Sequence, residues 1–479
     1  MGTKTTNLYI HLSKIPKKDF KKFEDFLLSP FFKTKKWQIE LWQILKEDYP
    51  SFNKKSKQEI WTQSSHFNQK AFNNQRINEY FAEMNKMVQQ FLQMLTLSKD
   101  ESFQQQLVLN TATQFDLPKW YTSNVLKEDQ NFENISFFKQ EDYQRIIKRY
   151  NEILRNPHIG KHFIHSNISK LYDEAVNHYF IIEKLQQALP IISRNKRQGG
   201  ETNVHLLDET LSYIRTQNIK HPLIELYAKL IHLYENWDLQ KYKDTISLYF
   251  SIVQYLSQTE QFALILHFSN LIAKRISIDS TDLHQLQFSL FKNGVANGVF
   301  QHPARITVRS FGNICNSAAI AQQSEWTFQF IQTHLQYLPL HQQAASEALA
   351  KARVAFHTQQ FDTAANILLS TKSKDFLIML NIRTMAVRCL LYNFIKNKNN
   401  LRTLYAEIHA FLRYIQRSNK VNAERKRSYS NMLRIAKKIA KICSDNKVNV
   451  KKKTELKQQI QQKEIMVARD WMLKILDEV

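Results

Sequence analysis

The apolar residues of this chain recur with helical spacing, beginning in the first hundred residues. A first stripe is formed by Phe20, Phe23, Phe26 and Leu27. A longer stripe follows a candidate helix cap at Asn73 or Asn74 and predicts a single long helix. Its apolar positions are Ile77, Phe81, Met84, Val88, Phe91, Leu92 and Leu95. Residues 1–100 are therefore predicted to form an N-terminal helical module.

The pattern weakens after the first module and then becomes regular again. We predict a helical connector over 101–193, with a long helix that starts near Pro157 and runs towards Pro190. The segment 194–202 contains two adjacent glycines among polar residues, which is typical of an exposed flexible loop. Beyond it, 203–412 is predicted to be a region of repeated helices.

The repeated region alternates apolar-periodic segments with short breaks. The predicted helices are 203–216, 222–236, 240–256, 259–275, 281–297, 303–321, 324–338, 341–358, 361–371, 374–395, 399–417 and 422–444. Pairs of such helices recur at roughly 34–40 residues, the pitch of an α-solenoid. The sequence therefore predicts stacked helical hairpins.

One hairpin, within 348–369, resembles a tetratricopeptide repeat (TPR). Ala352 occupies the small position of the first helix, Phe361 the aromatic position that opens the second helix, and Ala364 its small position. The segment 222–256, with its regularly spaced tyrosines, resembles a second, degenerate unit. The proline that follows the second helix in TPR proteins is missing after the first hairpin. The resemblance implies an all-α, TPR-like α-solenoid of helical hairpins.

The layout as a whole also resembles a group of long helical proteins from Bacteroidota. The matching stretches are 26–32, 326–331, 361–365 and 411–413. This resemblance covers most of the chain and implies a helical fold, but it implies no chemistry.

Composition supports helices and argues against several other classes. The 479 residues include only 7 glycines and 9 prolines, about a quarter of their usual combined share, which argues against turn-rich β folds. Hydrophobic residues make up 43% of the chain, so a large core can form and disorder is not expected. No apolar run approaches the length of a membrane span or of a signal sequence. Three widely separated cysteines indicate reduced thiols, and we expect a cytoplasmic protein.

Motifs for enzyme chemistry are weak. The sequence contains no phosphate-binding glycine loop of the Walker type, no His-Glu-x-x-His and no nucleophile elbow. Gly294 and Gly298 are predicted to mark close helix packing and a helix C-cap. The weak metal candidate is His158, His162 and His165, which would share one helix face. We expect these to be ordinary surface or interface histidines, and we predict no enzyme activity and no cofactor.

The charge is concentrated in one part of the chain. The net charge is +24, and 16 basic residues against three acidic ones lie between 413 and 463. Within the predicted C-terminal segment 413–479, basic residues share one face of a predicted helix. They are Arg427, Arg434, Lys437, Lys438 and Lys441, which we call the basic stripe. Such a stripe is suited to phosphate groups or to an acidic protein. An amphipathic helix lying on a membrane surface is a third possible use.

Together these patterns predict an N-terminal helical module, a TPR-like solenoid and a basic C-terminal helical cap. Solenoids present extended surfaces that bind other proteins. The leading prediction is therefore a non-enzymatic protein–protein interaction scaffold whose partner the sequence does not identify, an acidic protein being one option. The alternative is a nucleic-acid-binding or ribonucleoprotein-associated protein that uses the basic stripe. The oligomeric state is not predicted.

Overall fold

The computed structural model describes residues 6–124, 137, 139–155, 168–273, 275, 281–302, 304–444, 450–463 and 465–478. These residues form helices and their connections, with no strand among them. The prediction of an all-α protein is therefore confirmed.

The helices are numbered here in chain order. They are α1 (Asn7–Leu12), α2 (Phe20–Leu28), α3 (Lys36–Lys46), α4 (Lys57–Gln63), α5 (Asn74–Leu97), α6 (Glu101–Gln114), α7 (Gln140–Arg155), α8 (Ile168–Gln198), α9 (Leu207–Thr216), α10 (Pro222–Glu235), α11 (Leu239–Ile252), α12 (Gln258–Ile272), α13 (Thr281–Ala296), α14 (Val308–Ile320), α15 (Ser324–His334), α16 (Leu340–His357), α17 (Phe361–Ser370), α18 (Phe376–Asn397), α19 (Leu401–Arg417), α20 (Ala423–Ser444), α21 (Val450–Gln462) and α22 (Arg469–Asp477). Residues 118–124 are also helical.

The chain divides into two compact units. The smaller contains residues 1–136 and 151–166, and the larger contains 137–150 and 167–479. The sequence predicts four segments, which is a finer division than these two units, and the four segments stay a prediction.

The smaller unit has an aromatic core. Phe23 packs edge-on against Trp42, with ring centroids 4.9 Å apart, and both side chains are fully buried. The long helix α5 begins where its cap was expected, since the Asn73 side chain accepts hydrogen bonds from the backbone N–H groups of Gln75 and Arg76. Its predicted apolar stripe is buried from Ile77 to Phe91. Local periodicity and capping therefore determine this helix.

In the larger unit, successive helices pack on one another. Helix α17 packs on α16 and α18, and α19 packs on α18 and α20. Helix α18 also packs on α16 and on α20. The buried apolar residues form two large clusters, one drawn from 143–350 and the other from 345–476.

Helix α8 departs from the sequence prediction. It continues through Pro190 to Gln198, so the predicted loop 194–202 is wrong in its first part. Pro190 has no backbone N–H and therefore cannot donate an intrahelical hydrogen bond. Its side chain lies on the exposed side of the helix. Ser193, three residues further along the helix, is buried. The helix is followed by Gly199 in the left-handed conformation, with φ of 71°. The predicted start near Pro157 lies outside the described residues.

Gly294 and Gly298 have the structural roles predicted for them. A Cβ at Gly294 would lie 2.7 Å from a side-chain carbon of Ile265 and 2.9 Å from one of Phe300, so a larger residue would require these side chains to move. Gly298 has φ of 71°, and the Val299 N–H donates to the Gly294 carbonyl at 2.8 Å. These contacts form the C-terminal cap of α13.

The hairpin α16–α17 is tightly packed. Ala352 and Ala364 are fully buried, which allows close helix approach. The Phe361 ring is 8% exposed and lies parallel to the Tyr392 ring, with centroids 5.0 Å apart and planes 6° apart. The residues that carried the TPR resemblance therefore form a helix–helix contact.

Candidate basic surface

Helix α20 carries the basic stripe on its solvent side. All five stripe residues, Arg427, Arg434, Lys437, Lys438 and Lys441, are exposed. The other faces of the helix are buried through Ser428, Asn431, Met432, Leu433, Ile435, Ala436, Ile439, Ala440, Ile442 and Cys443. The helix is therefore anchored by its apolar side chains, and its cations face water.

The stripe makes few contacts with the rest of the protein. Lys438 donates a hydrogen bond from Nζ to the Gln459 side chain at 2.7 Å. Lys437 Nζ lies 5.7 Å from the centroid of the Tyr405 ring. Within the described part of the chain, none of the five cations forms an ion pair with a carboxylate. Their charges are therefore available to an anionic partner.

Replacing Arg434 and Lys438 together with serine is expected to change the melting temperature by less than about 2 °C, because exposed side chains contribute little to stability. Ile439→Ala on the same helix provides a contrast. Ile439 is fully buried, and its truncation is expected to cost about 2–4 kcal/mol. Differential scanning calorimetry of the three proteins checks this. A large drop for the serine variant would show that the stripe supports the fold.

A second basic feature lies near the start of α20, and sequence analysis missed it. It is an open groove of about 630 Å³ formed by the beginning of α18, the end of α19 and the connection to α20. Its cationic lining residues are Lys374, Arg383, Arg413, Arg417 and Lys420. We call it the basic groove. Lys374 and Arg383 precede the charge-rich segment by some thirty residues or more, so counting charges along the chain does not join them to it.

Two aromatic side chains line the basic groove. Phe376 and Tyr414 are stacked, with centroids 5.4 Å apart and planes 15° apart. The Arg383 guanidinium lies 5.2 Å from the Tyr414 centroid, and its Nη1 donates to Glu407 at 2.7 Å. Burial raises the pKa of Glu407, and Arg383 opposes that shift. The ion pair therefore fixes Arg383 beside the ring.

The groove extends towards the stripe. Lys420 also lines a second pocket, together with Arg425 and Ser428 in the first two turns of α20. The stripe begins at Arg427, in the same part of the helix. Basic side chains therefore extend from the groove along α20 with few carboxylates among them.

Two further candidates for chemistry are the histidine cluster and Cys315. His158, His162 and His165 lie outside the described residues. Among the residues that are described, no group of histidine, cysteine, aspartate or glutamate side chains could hold a metal ion.

Cys315 is fully buried, and burial raises its pKa to about 12. Its thiol is therefore protonated at neutral pH, as expected for a core cysteine.

One described helix, α18, is long and apolar enough to cross a membrane by composition alone. In the protein, 67% of its most apolar window is buried against neighbouring helices. It is therefore the core helix of the larger unit and no clear membrane span.

Comparison of the chain with protein-family models, with curated proteins and with solved structures finds no match.

Proposed function

We propose that this protein is a non-enzymatic, helical-repeat scaffold of the TPR-like type, which binds an acidic protein partner through its basic C-terminal helices. The observation that carries the proposal is the row of exposed cations on α20, none of which is ion-paired within the described residues. A buried apolar face holds the helix against its neighbours, so the backbone positions of the cationic residues are held in a row. Fixed charges favour electrostatic recognition and rapid association.

The stacked hairpins support a binding role. Repeats built from helix pairs stack into extended surfaces, and such surfaces bind other proteins. The buried Ala352 and Ala364 and the stacked Phe361 are consistent with TPR-like packing in the hairpin α16–α17. The buried, unpaired cysteines fit a reducing compartment such as the cytoplasm.

The test compares three forms of the full chain as affinity baits in extracts of the source cells. The stripe variant carries glutamine at Arg427, Arg434, Lys437, Lys438 and Lys441. A control variant carries glutamine at five exposed basic residues elsewhere, with the same number of arginines: Arg215, Lys220, Lys241, Lys292 and Arg309. An acidic protein should be retained by the wild type and the control variant but not by the stripe variant. Equal retention by all three would contradict the proposal.

Nucleic-acid binding is a second candidate, and the basic groove favours it. Stacked Phe376 and Tyr414 lie among five cations. Proteins that bind single-stranded nucleic acid combine cationic grooves with aromatic rings on which bases stack.

Fluorescence anisotropy with random-sequence RNA and duplex DNA, measured across a salt series, separates the two candidates. If the stripe contacts phosphates, affinity should fall steeply with salt. The stripe variant should then lose up to about 0.7–0.9 of log–log slope for each phosphate contact removed. The control variant should keep the wild-type slope. Absence of binding at about 50 mM salt would exclude the nucleic-acid candidate.

A further inference from the structure

The larger unit contains a cavity that neither proposed function uses. Its volume is about 430 Å³, and it is lined by residues of α13, α14, α16, α17, α18 and α22 and of the turn between α16 and α17. Arg388, Tyr392 and Lys396 face it from successive turns of α18, and Trp471 and Lys474 face it from α22. These groups lie up to 86 positions apart in the chain, so only packing brings them together.

Arg388 is the central cation of this cavity. Its guanidinium carbon lies 5.3 Å from the centroid of the Phe356 ring and 4.8 Å from that of Trp471. Within the described residues it makes no hydrogen bond and no ion pair, and its Nε is buried without an acceptor. Partly buried guanidinium groups normally have a carboxylate or carbonyl partner. Here the aromatic rings hold the group in place, while its N–H donors are left for a ligand.

The surroundings of Arg388 are positively charged. Arg353 lies nearby on α16 and donates a hydrogen bond to the Gly312 carbonyl. Burial lowers the pKa of Arg388 to about 10, and burial together with both arginines lowers the pKa of His357 to about 4. Lys396 and Lys474 also line the cavity, and Glu478 is the one acidic side chain among the lining residues that the structure describes. Among the described residues, Arg388 and Lys396 therefore line the cavity without a carboxylate partner.

The cavity also has an aromatic wall, whose rings are each less than a tenth exposed. The parallel rings of Phe361 and Tyr392 line it beside Trp471. Lys396 Nζ lies 5.0 Å from the Phe361 centroid and donates to Gln359. The Lys396 ammonium group therefore lies beside the aromatic wall. A ligand with both an anionic group and a planar ring could contact the cation and the aromatic side chains together.

We propose that this cavity binds a nucleoside monophosphate, with the phosphate at Arg388 and Lys396 and the base against the aromatic wall. A phosphate dianion matches several cations better than a single carboxylate does, and arginine binds phosphate through paired N–H donors. The volume lies within the range of small-molecule sites. The ligand would be recognised by side chains alone, without a glycine-rich loop. This site is separate from the basic groove and the basic stripe.

The test is isothermal titration calorimetry of the full chain with AMP, GMP, CMP and UMP. At least one is expected to bind with a dissociation constant below about 1 mM. The matching nucleoside and inorganic phosphate should each bind at least about tenfold more weakly, because the nucleoside lacks the phosphate group and inorganic phosphate lacks the base. The proposal is overturned if no nucleotide binds, or if the nucleoside or phosphate alone binds as tightly as the nucleotide.

Two variants locate the site. Lys396→Gln changes an exposed side chain and should weaken nucleotide binding about 10-fold or more, since it removes a charge-assisted hydrogen bond. Lys292→Gln is its matched control, because Lys292 is also exposed and lies 5.9 Å from the centroid of a phenylalanine ring. Arg388→Met should weaken binding about 10- to 100-fold while the melting temperature is retained. Unchanged affinity in both cavity variants would overturn the assignment.

Discussion

Phe361→Ala is expected to lower the free energy of unfolding of the larger unit by about 3–5 kcal/mol. The ring lies between the two helices of the hairpin α16–α17 and helix α18. Its centroid is 5.3 Å from that of Phe356 and 5.0 Å from that of Tyr392. Truncation would remove apolar contacts from all three helices and leave a cavity that close packing cannot refill.

Urea unfolding followed by circular dichroism measures this effect, with the transitions of the two units fitted separately. Phe31→Ala is the control, because the Phe31 side chain is 89% exposed and its removal should change stability by less than about 0.5 kcal/mol. A loss below about 1 kcal/mol for Phe361→Ala would show that the ring is not packed in solution.

Arg383→Met and Arg388→Met are expected to differ strongly, although both change an arginine on α18. Arg383 pairs with Glu407 at 2.7 Å, and the side chains are 21% and 13% exposed. Removing Arg383 would leave the Glu407 carboxylate poorly solvated and unpaired, at a cost of about 2–3 kcal/mol. Arg388 has no carboxylate partner within the described residues, so its replacement by a methionine of similar length leaves no unpaired charge behind.

The pH dependence gives a second measure of the Arg383 effect. Burial already raises the pKa of Glu407 in the folded protein, and loss of Arg383 would raise it further. A carboxyl whose pKa is higher in the folded than in the unfolded state takes up a proton on folding. The destabilisation should therefore be smallest at low pH and grow as pH rises through the folded-state pKa of Glu407. Chemical denaturation at several pH values from about 4 to 8 checks this, and an equal effect at every pH would contradict it.

The elements that were predicted well are those with local causes. Helix α5 follows from one apolar stripe and the Asn73 cap, both contained in a single stretch of chain. The stripe on α20 was predicted for the same reason, because helical spacing alone puts Arg427 to Lys441 on one face. The prediction for 194–198 was wrong because polar residues also suit the exposed last turns of a helix, and α8 continues through Pro190 to Gln198.

The basic groove and the cavity around Arg388 could not be predicted in this way. Arg383 and Arg388 lie on one helix and have similar sequence surroundings, yet one is ion-paired and the other lies beside two aromatic rings. The difference depends on Glu407 and Trp471, which are distant in sequence. No periodicity in the sequence encodes those pairings.

The sequence alone determined that the chain is all-helical, where most of its helices lie, and which face of α20 carries charge. It did so because helix formation, capping and amphipathicity depend on residues a few positions apart. The tertiary structure decided which charges are compensated, which aromatic rings meet, and where the cavities open. Those features depend on contacts between distant segments, because burial and charge pairing are properties of the packed molecule.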